Sequence, residues 1–424
     1  MPFRVAIKYF SYLDPPELTP SIDNRKLSTS RLHMISPQTP AFFQGEDLDL
    51  RLFIETCSRQ PDSGVYANSS NNEQRIIVYD GDGIRSKLSH PSTRKRIASE
   101  WCHVLRDGPG ILMIRNAFES ITTIDRSTFL FREIVQKERR ADRGQGDHFG
   151  DNERVWNAIQ KVCERDPELF IEYYGNPILA LACESWLGPA YRVTAQMNNV
   201  RPGSAEQSVH RDYHLGFQSP ETIERYPAHA QVMSQYLTLQ GAVAHSDMPV
   251  ESGPTCLLPY SHHFAPGYQA YRHPDFQAFF AEHRSQVEMQ KGDMIFFSPA
   301  VYHAAGANRT DSDRIANLLQ ISSAFGRTME TLDTDAMLLN IYPHLLRQIN
   351  TGDLTIDQAR FCIAASADGY AFPTNMDLDP PVNGNAPETC QEMAMRALEK
   401  KCPPDEVQEQ LADYALRRQV MREI

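Results

Sequence analysis

His210 and Asp212 have the residue types and the spacing of two metal ligands. If Gln207 to His214 form a β-strand, side chains alternate between faces, so positions 210 and 212 project to the same side. An imidazole and a carboxylate on one face supply two members of a two-histidine, one-carboxylate facial triad. That set suits non-haem Fe(II), and it leaves coordination positions open on the side away from the protein ligands. A second histidine from a later strand completes it. His303, placed after the apolar run Ile295-Phe296-Phe297, is the candidate.

The spacing alone does not select this pair. His-x-Asp recurs at His245/Asp247 and His273/Asp275, and 14 histidines in an acidic chain make accidental pairs common. Pro274 cannot donate to a strand ladder, which places the third pair in a turn. The second pair ends an alternating run and leads into Met248-Pro249-Val250-Glu251-Ser252-Gly253-Pro254, which reads as a loop. Only the first pair has a strand context and supporting residues, and a plain structural pair is the reading it competes with.

A keto-acid co-substrate at such a centre chelates the metal and leaves a far carboxylate to be held by a fixed cation. Arginine suits that task because its planar fork pairs bidentately with a carboxylate. Arg314 follows His303 across one turn, residues 306–313, and opens the returning strand. The expectation is that metal ligand and carboxylate anchor sit on adjacent strands. The alternative is an ordinary arginine at a strand edge.

The elements that must position these residues are legible in part. Arg75 to Tyr79 reads as a strand ended by Asp80-Gly81-Asp82-Gly83, Ile111 to Ile114 as a buried strand, and Ser92 to Leu105 and Ser127 to Arg140 as amphipathic helices. Gln145 to Asp151 reads as a polar loop. Asn176-Pro177 opens a helix that Gly188-Pro189 stops. From Val193 to Ser323 strands outnumber helices and turns join them: Arg192 to Val200, Gln207 onward, Tyr236 to Ala244, Thr255 to Leu258, Ile295 to Phe297 and Arg314 to Ile321. The expected class is α+β with a mainly β core, a double-stranded β-helix of the jelly-roll or cupin-like kind. Helices flank it, and a helical extension follows: Leu332 to Ile349, Ile356 to Ala364 behind a Thr355-x-x-Gln358 capping box, Glu388 to Lys400 and Asp405 to Arg422. The stripe Val407, Leu411, Tyr414, Ala415 and Met421 packs more often on its own protein than on a partner. The division expected is residues 1–90 as an N-terminal extension, 91–328 as the β-helix domain with its helices, and 329–424 as the extension.

The 424 residues carry a formal charge of −12. That balance argues against nucleic acid or an anionic membrane surface as the main partner. Eight cysteines show no regular framework and no Cys-x-x-Cys; Cys102, Cys163 and Cys183 read as buried free thiols. Charged residues near Met1 break the apolar run that a signal peptide needs, and no stretch reaches the length of a membrane span, so a cytoplasmic location is expected.

Four segments together resemble a known family. They are Gln207-x-x-His210-Arg211-Asp212, then Ser252-Gly253-Pro254-Thr255-x-x-Leu258-Pro259-x-Ser261-His262, then Gly292-Asp293-x-x-x-Phe297 leading to His303 and Arg314, with a fainter His148-Phe149-Gly150-x-x-x-Arg154-x-x-Asn157 upstream. In this order they are similar to the phytanoyl-CoA dioxygenase-like Fe(II)/2-oxoglutarate oxygenases, over residues 90 to 325, and the last segment resembles the fungal biosynthetic branch. The resemblance implies iron held by His210, Asp212 and His303, and the 2-oxoglutarate C5 carboxylate held by Arg314. It adds Thr255, Gln207 and Arg154 as further co-substrate contacts. Gln196 and Asn198, pointing one way on the preceding strand, are candidates to line the same cavity. His214, Tyr213 and Phe217 would face or flank it, while His262 and His263 fit a hydrogen-bonded turn. The sequence departs from the family pattern at Tyr260, where a glycine is usual. It keeps Asp212, which halogenating relatives replace, so oxygenation is implied.

The implied activity is oxidation of a C–H bond in a small molecule by O₂ and 2-oxoglutarate, with hydroxylation as the default and desaturation or cyclisation as variants, in specialised-metabolite biosynthesis. An acyl-CoA hydroxylase of the same family is the alternative, although the sequence shows no evident basic patch for its phosphates. A non-enzymatic cupin-like protein that uses its helical tail for assembly is the rival from another class, and in either reading the C-terminal helices are the candidate site of a homodimer. A zinc or manganese cupin isomerase is more distant.

Overall fold

The structure, a computed structural model, describes residues 40–141, 152–382 and 385–420. The segments His148-Phe149-Gly150 and Gln145 to Asp151, as well as Met421, lie outside the described residues. Ten strands are found among the described residues: β1 Asn71–Glu73, β2 Ile76–Asp80, β3 Ile111–Arg115, β4 Glu153–Val155, β5 Arg192–Val200, β6 Thr238–Ala244, β7 Cys256–Leu258, β8 Met294–Phe297, β9 Tyr302–Ala304 and β10 Arg314–Ser322. Eight of them form one sheet in the order β1-β2-β3-β8-β6-β10-β5-β4, antiparallel except where β2 meets β3. The helix Pro91–Arg106 makes that crossover, as a parallel connection requires. A small second sheet pairs β7 with β9.

Period-two alternation sorts the large sheet's side chains onto two faces. On β10, Ile315, Leu319 and Ile321 join a core shared with the helices, whereas Ala316 and Leu318 pack against the inner cluster. That inner cluster includes Val78, Met113, Ala242, Met248, Leu257 and Phe297. The small sheet repeats the pattern: Leu257 turns inward, while Cys256, Leu258, Tyr302 and Ala304 pack with Phe53 and Phe264 behind it. The layers run helices, large sheet, inner space, small sheet and a second helical cover.

Several expectations are corrected. Helix content is larger than a mainly β core implies, because the largest buried cluster lies between the large sheet and the helices on its outer face. From Ala41 onward the chain forms one compact unit, so the boundaries drawn at 90 and 328 cut through continuous structure. β1 and β2 lie at one edge of the large sheet, and Met337, Leu338, Ile341 and Tyr342 share the helical core. Asp80 starts a helix, Gly81–Arg85, rather than a turn: its carboxylate accepts from the Gly83 amide at 2.9 Å. His273 likewise caps the helix Pro274–His283, because Pro274 suits a first helical position, where no N–H is needed. The helix around Ser127 begins earlier, at Ile121. Cys163 and Cys183 are buried, whereas Cys102 is partly exposed. No described helix is long and apolar enough to cross a membrane.

Candidate metal centre

Residues 207–212 do not form the expected strand. They run alongside β9 with one bridge, His210 to His303, whose two backbone hydrogen bonds measure 3.0 and 3.1 Å. Gln207 N donates to Ala305 O at 2.9 Å and Asp212 N to Pro299 O at 2.9 Å, so the segment is extended without a full ladder. Alternation still holds: Val209 packs behind the small sheet and Arg211 lies against the rings of Tyr268 and Tyr302, while His210 and Asp212 line a cavity between the two sheets.

His210, Asp212 and His303 offer ligand atoms that all lie within 4.8 Å of one another. Asp212 Oδ2 is 3.3 Å from His303 Nε2, and Oδ1 is 3.8 Å from His210 Nε2. Each imidazole is oriented from behind. His210 Nδ1 lies 2.8 Å from Ser208 O, and His303 Nδ1 lies 2.8 Å from Val301 O. A carbonyl only accepts, so both protons belong on Nδ1 and both Nε2 lone pairs face the site. Burial and the neighbouring His303 charge push the His210 pKa down, which favours the neutral ligand form. Burial alone would raise the Asp212 pKa, but the neighbouring His303 and His210 rings and the Gln240 amide outweigh it and hold the carboxyl at about 2. One ionised carboxylate and two imidazoles that present Nε2 towards a common point fit Fe(II).

Arg314 lines the same cavity, but not from an adjacent strand. His303 is in the small sheet and Arg314 opens β10 in the large one, which pairs with β5 and β6. The intervening turn therefore crosses between sheets. Asn308 shapes it by donating to Val200 O at 3.1 Å and Ser312 O at 2.9 Å. The Arg314 guanidinium donates to Ser252 O at 2.8 Å and Gly306 O at 3.2 Å, and among the described residues no carboxylate pairs with it. Burial lowers its pKa to about 10, so it stays charged at neutral pH. A buried cation without a counter-ion calls for one. Gly253 makes the seat: its φ is +74°, and a Cβ there would sit 2.4 Å from Gly306 O and Ala307 O.

The cavity, of about 600 Å³, is also lined by Thr255, Gln207, Asn198 and Arg154. Gln207 Oε1 accepts from Ala305 N at 3.2 Å, so that side chain also pins the ligand-bearing strand. Gln196 is not among the lining residues. It is fully buried and accepts from Arg154 Nη1 at 3.0 Å, holding the arginine from below. Phe217 lines the cavity, whereas Tyr213 and His214 do not. His245 is buried on the helical side, against Thr128 and Tyr173, away from the ligands. Tyr260 has φ +69°, a left-handed conformation that explains a usual glycine, and its ring stacks on His263. Two lining glutamines escaped the sequence reading, Gln240 and Gln320 on facing positions of β6 and β10. Only their inward positions in a strand alternation pointed to them.

Residues 106–316 match the model of a family described as phytanoyl-CoA dioxygenase (PhyH). Through that stretch, the chain is similar to the phytanoyl-CoA dioxygenase family. The matched PhyH region begins at the end of the helix Pro91–Arg106 and closes inside β10, so it contains all three ligand candidates and Arg314. An uncharacterized Saccharomyces cerevisiae protein, YJR154W, is 29% identical over 133 residues, which is 31% of this chain and 35% of the yeast protein. The chain thus spans about a third of the length of that curated relative. Among solved structures, the non-heme alpha ketoglutarate dependent carbocyclase SnoK from nogalamycin biosynthesis is 22% identical, with a TM-score of 0.41, over 55% of this chain and 86% of its own. The corresponding epimerase SnoN is 19% identical, with a TM-score of 0.37, over 55% and 84%. At this level of likeness neither bears on the reaction of this chain.

Proposed function

We propose that this PhyH-like chain is an Fe(II)- and 2-oxoglutarate-dependent oxygenase that oxidises a C–H bond of a small organic molecule. The observation that carries the reading is one cavity holding both halves of the machinery: the three converging ligands on the small-sheet side and the acid-free Arg314 guanidinium on the large-sheet side. In this reading the two facing sheets are the walls of a double-stranded β-helix. The iron, when bound, would supply the oxidising chemistry with O₂ and 2-oxoglutarate.

The protein's own residues bind, orient and exclude. His210 and His303, each pinned through Nδ1 to a carbonyl, present Nε2 without needing to turn. Asp212, held ionised, supplies the negative charge that neutralises part of the metal. Arg314 takes the far carboxylate of 2-oxoglutarate, with Thr255 and Gln207 beside it. Arg154, braced by Gln196, and Asn198 face the remaining space from the outer strands of the large sheet. The inner wall of Ala242, Ala244, Met248, Met289 and Phe297 keeps that space apolar, which suits an uncharged hydrocarbon portion of the substrate and displaces water from the reacting carbon.

The test is anaerobic. Purified protein given Fe(II) and 2-oxoglutarate should develop the visible charge-transfer band of the chelate. His210→Ala should abolish it, and Arg314→Met should require far more 2-oxoglutarate to reach the same band. Wild-type protein that stays colourless under these conditions overturns the reading.

A further inference from the structure

Gln240 stands on β6 with its side chain in the cavity. Its Nε2 donates to Asp212 Oδ2 at 2.6 Å, shorter than either contact of Asp212 with the two histidines. A carboxylate accepts only, so the amide nitrogen must face it and the amide oxygen must face away. That oxygen, Oε1, is buried and has no hydrogen-bond partner among the described residues. A glutamine retained to brace the sheet would use both ends. This one leaves an acceptor unsatisfied, at a cost of about 1–3 kcal/mol in general terms, while making a single short bond to a ligand carboxylate. Gln320, directly opposite on β10, differs: its Oε1 accepts from Gln196 Nε2 at 3.2 Å, so its amide is tied into the wall.

The carboxylate of Asp212 can rotate about its last bond unless something stops it. On the backbone side, Asp212 is fixed by its N–H bond to Pro299 O. On the carboxylate side, Gln240 engages one oxygen, and the other, Oδ1, has no hydrogen-bond donor among the described residues, the His210 Nε2 edge lying 3.8 Å away.

We propose that Gln240 is the positioning residue of this metal centre, locking the Asp212 carboxylate so that one oxygen is presented to the ion. The inference rests on the metal-centre reading above. It assigns Gln240 no contact with the metal. It predicts that the ligand set is only as good as the amide that holds it, as outer hydrogen bonds to metal ligands are elsewhere.

The experiment uses Co(II), which substitutes for Fe(II) in air and reports its geometry through its visible d–d bands. Gln240→Met keeps the side-chain volume and removes the donor. Gln240→Ala removes the same amide without adding bulk, and because Gln240 borders an open cavity, truncation leaves no sealed void. Both variants should unfold at close to the wild-type temperature, bind Co(II) about 10–100-fold more weakly and show altered d–d bands. Co(II) binding within twofold of wild type, with an unchanged spectrum in either folded variant, overturns the inference and leaves the metal centre standing. Wild-type protein that binds no Co(II), or binds it equally well after His210→Ala, overturns the metal centre itself.

Discussion

His210 and Asp212 turn into the cavity, and the residue between them turns the other way and is just as deeply committed. Arg211 is 1% exposed, lies 5.0 and 5.2 Å from the ring centres of Tyr268 and Tyr302, and donates to Ser261 O at 2.6 Å and Phe264 O at 3.0 Å. No described carboxylate pairs with it; carbonyl dipoles and ring faces compensate the charge instead. It anchors the ligand segment to the back of the small sheet. Gly267 leaves it room, since a Cβ there would sit 2.0 Å from the guanidinium carbon. Gly267→Ala should therefore cost about 1–3 kcal/mol in denaturant unfolding and weaken Co(II) binding in step. A variant with wild-type stability would show that the guanidinium is not confined. The alternation that puts 210 and 212 on one side was legible because it is a property of any extended chain. The burial of Arg211 was not, because Tyr268, Tyr302 and the two carbonyls reach it only through folding.

Among the elements, β6 carries a different kind of information on each face. Gln240, Ala242 and Ala244 line the cavity, while His245, just past the strand's end, turns to the helices Ile121–Arg140 and Pro167–Tyr174. There its Nδ1 lies 2.9 Å from Thr128 Oγ1 and its Nε2 2.8 Å from Tyr173 OH, and Asn317 on β10 donates to the hydroxyls of Tyr173 and Tyr174 at 3.1 Å each. Burial lowers the His245 pKa to about 3. The unfolded chain, with an ordinary histidine near 6.5, binds this proton first as pH falls. The neutral imidazole thus contributes its full stability above about pH 6.5 and loses up to about 1.4 kcal/mol per pH unit between there and about pH 3. Denaturant midpoints measured from pH 7 to pH 4 should fall more steeply for wild type than for His245→Gln. Equal slopes would place the acid sensitivity elsewhere. The sheet that β10 joins from its start at Arg314 is not legible locally: a turn after His303 is compatible with a return beside β9 or with a crossing to the opposite sheet. Local sequence contains nothing that separates them.

For the molecule as a whole, the helices after β10 are part of the body. Met337, Leu338, Ile341 and Leu345 from the helix Thr334–Thr351, and Val407, Leu411 and Tyr414 from the helix Pro404–Arg417, share one cluster with Trp101, Phe170 and Ile321. Of the apolar stripe read from the C-terminal sequence, Val407, Leu411 and Tyr414 pack on their own chain. A chain ending at Phe325 would expose that surface across the outer core, so it should aggregate or melt far below the full-length protein, as size-exclusion and thermal unfolding would reveal. A truncated chain that stays monomeric and binds Co(II) as the full chain does would show that these helices are dispensable.

The chain's own order of residues determined the ligand types, the two-residue spacing that turns them one way, most strands and helices from 91 to 366 and the family resemblance, because each of these is written in local periodicity or in a short motif. Tertiary structure alone decided that the candidate metal ligands and Arg314 face each other across one cavity from different sheets, that Gln196 stands behind Arg154 rather than in the cavity, and that Gln240 hydrogen-bonds to Asp212. Those are relations between segments far apart in the chain, set by which sheet face meets which, and no window of sequence contains both partners.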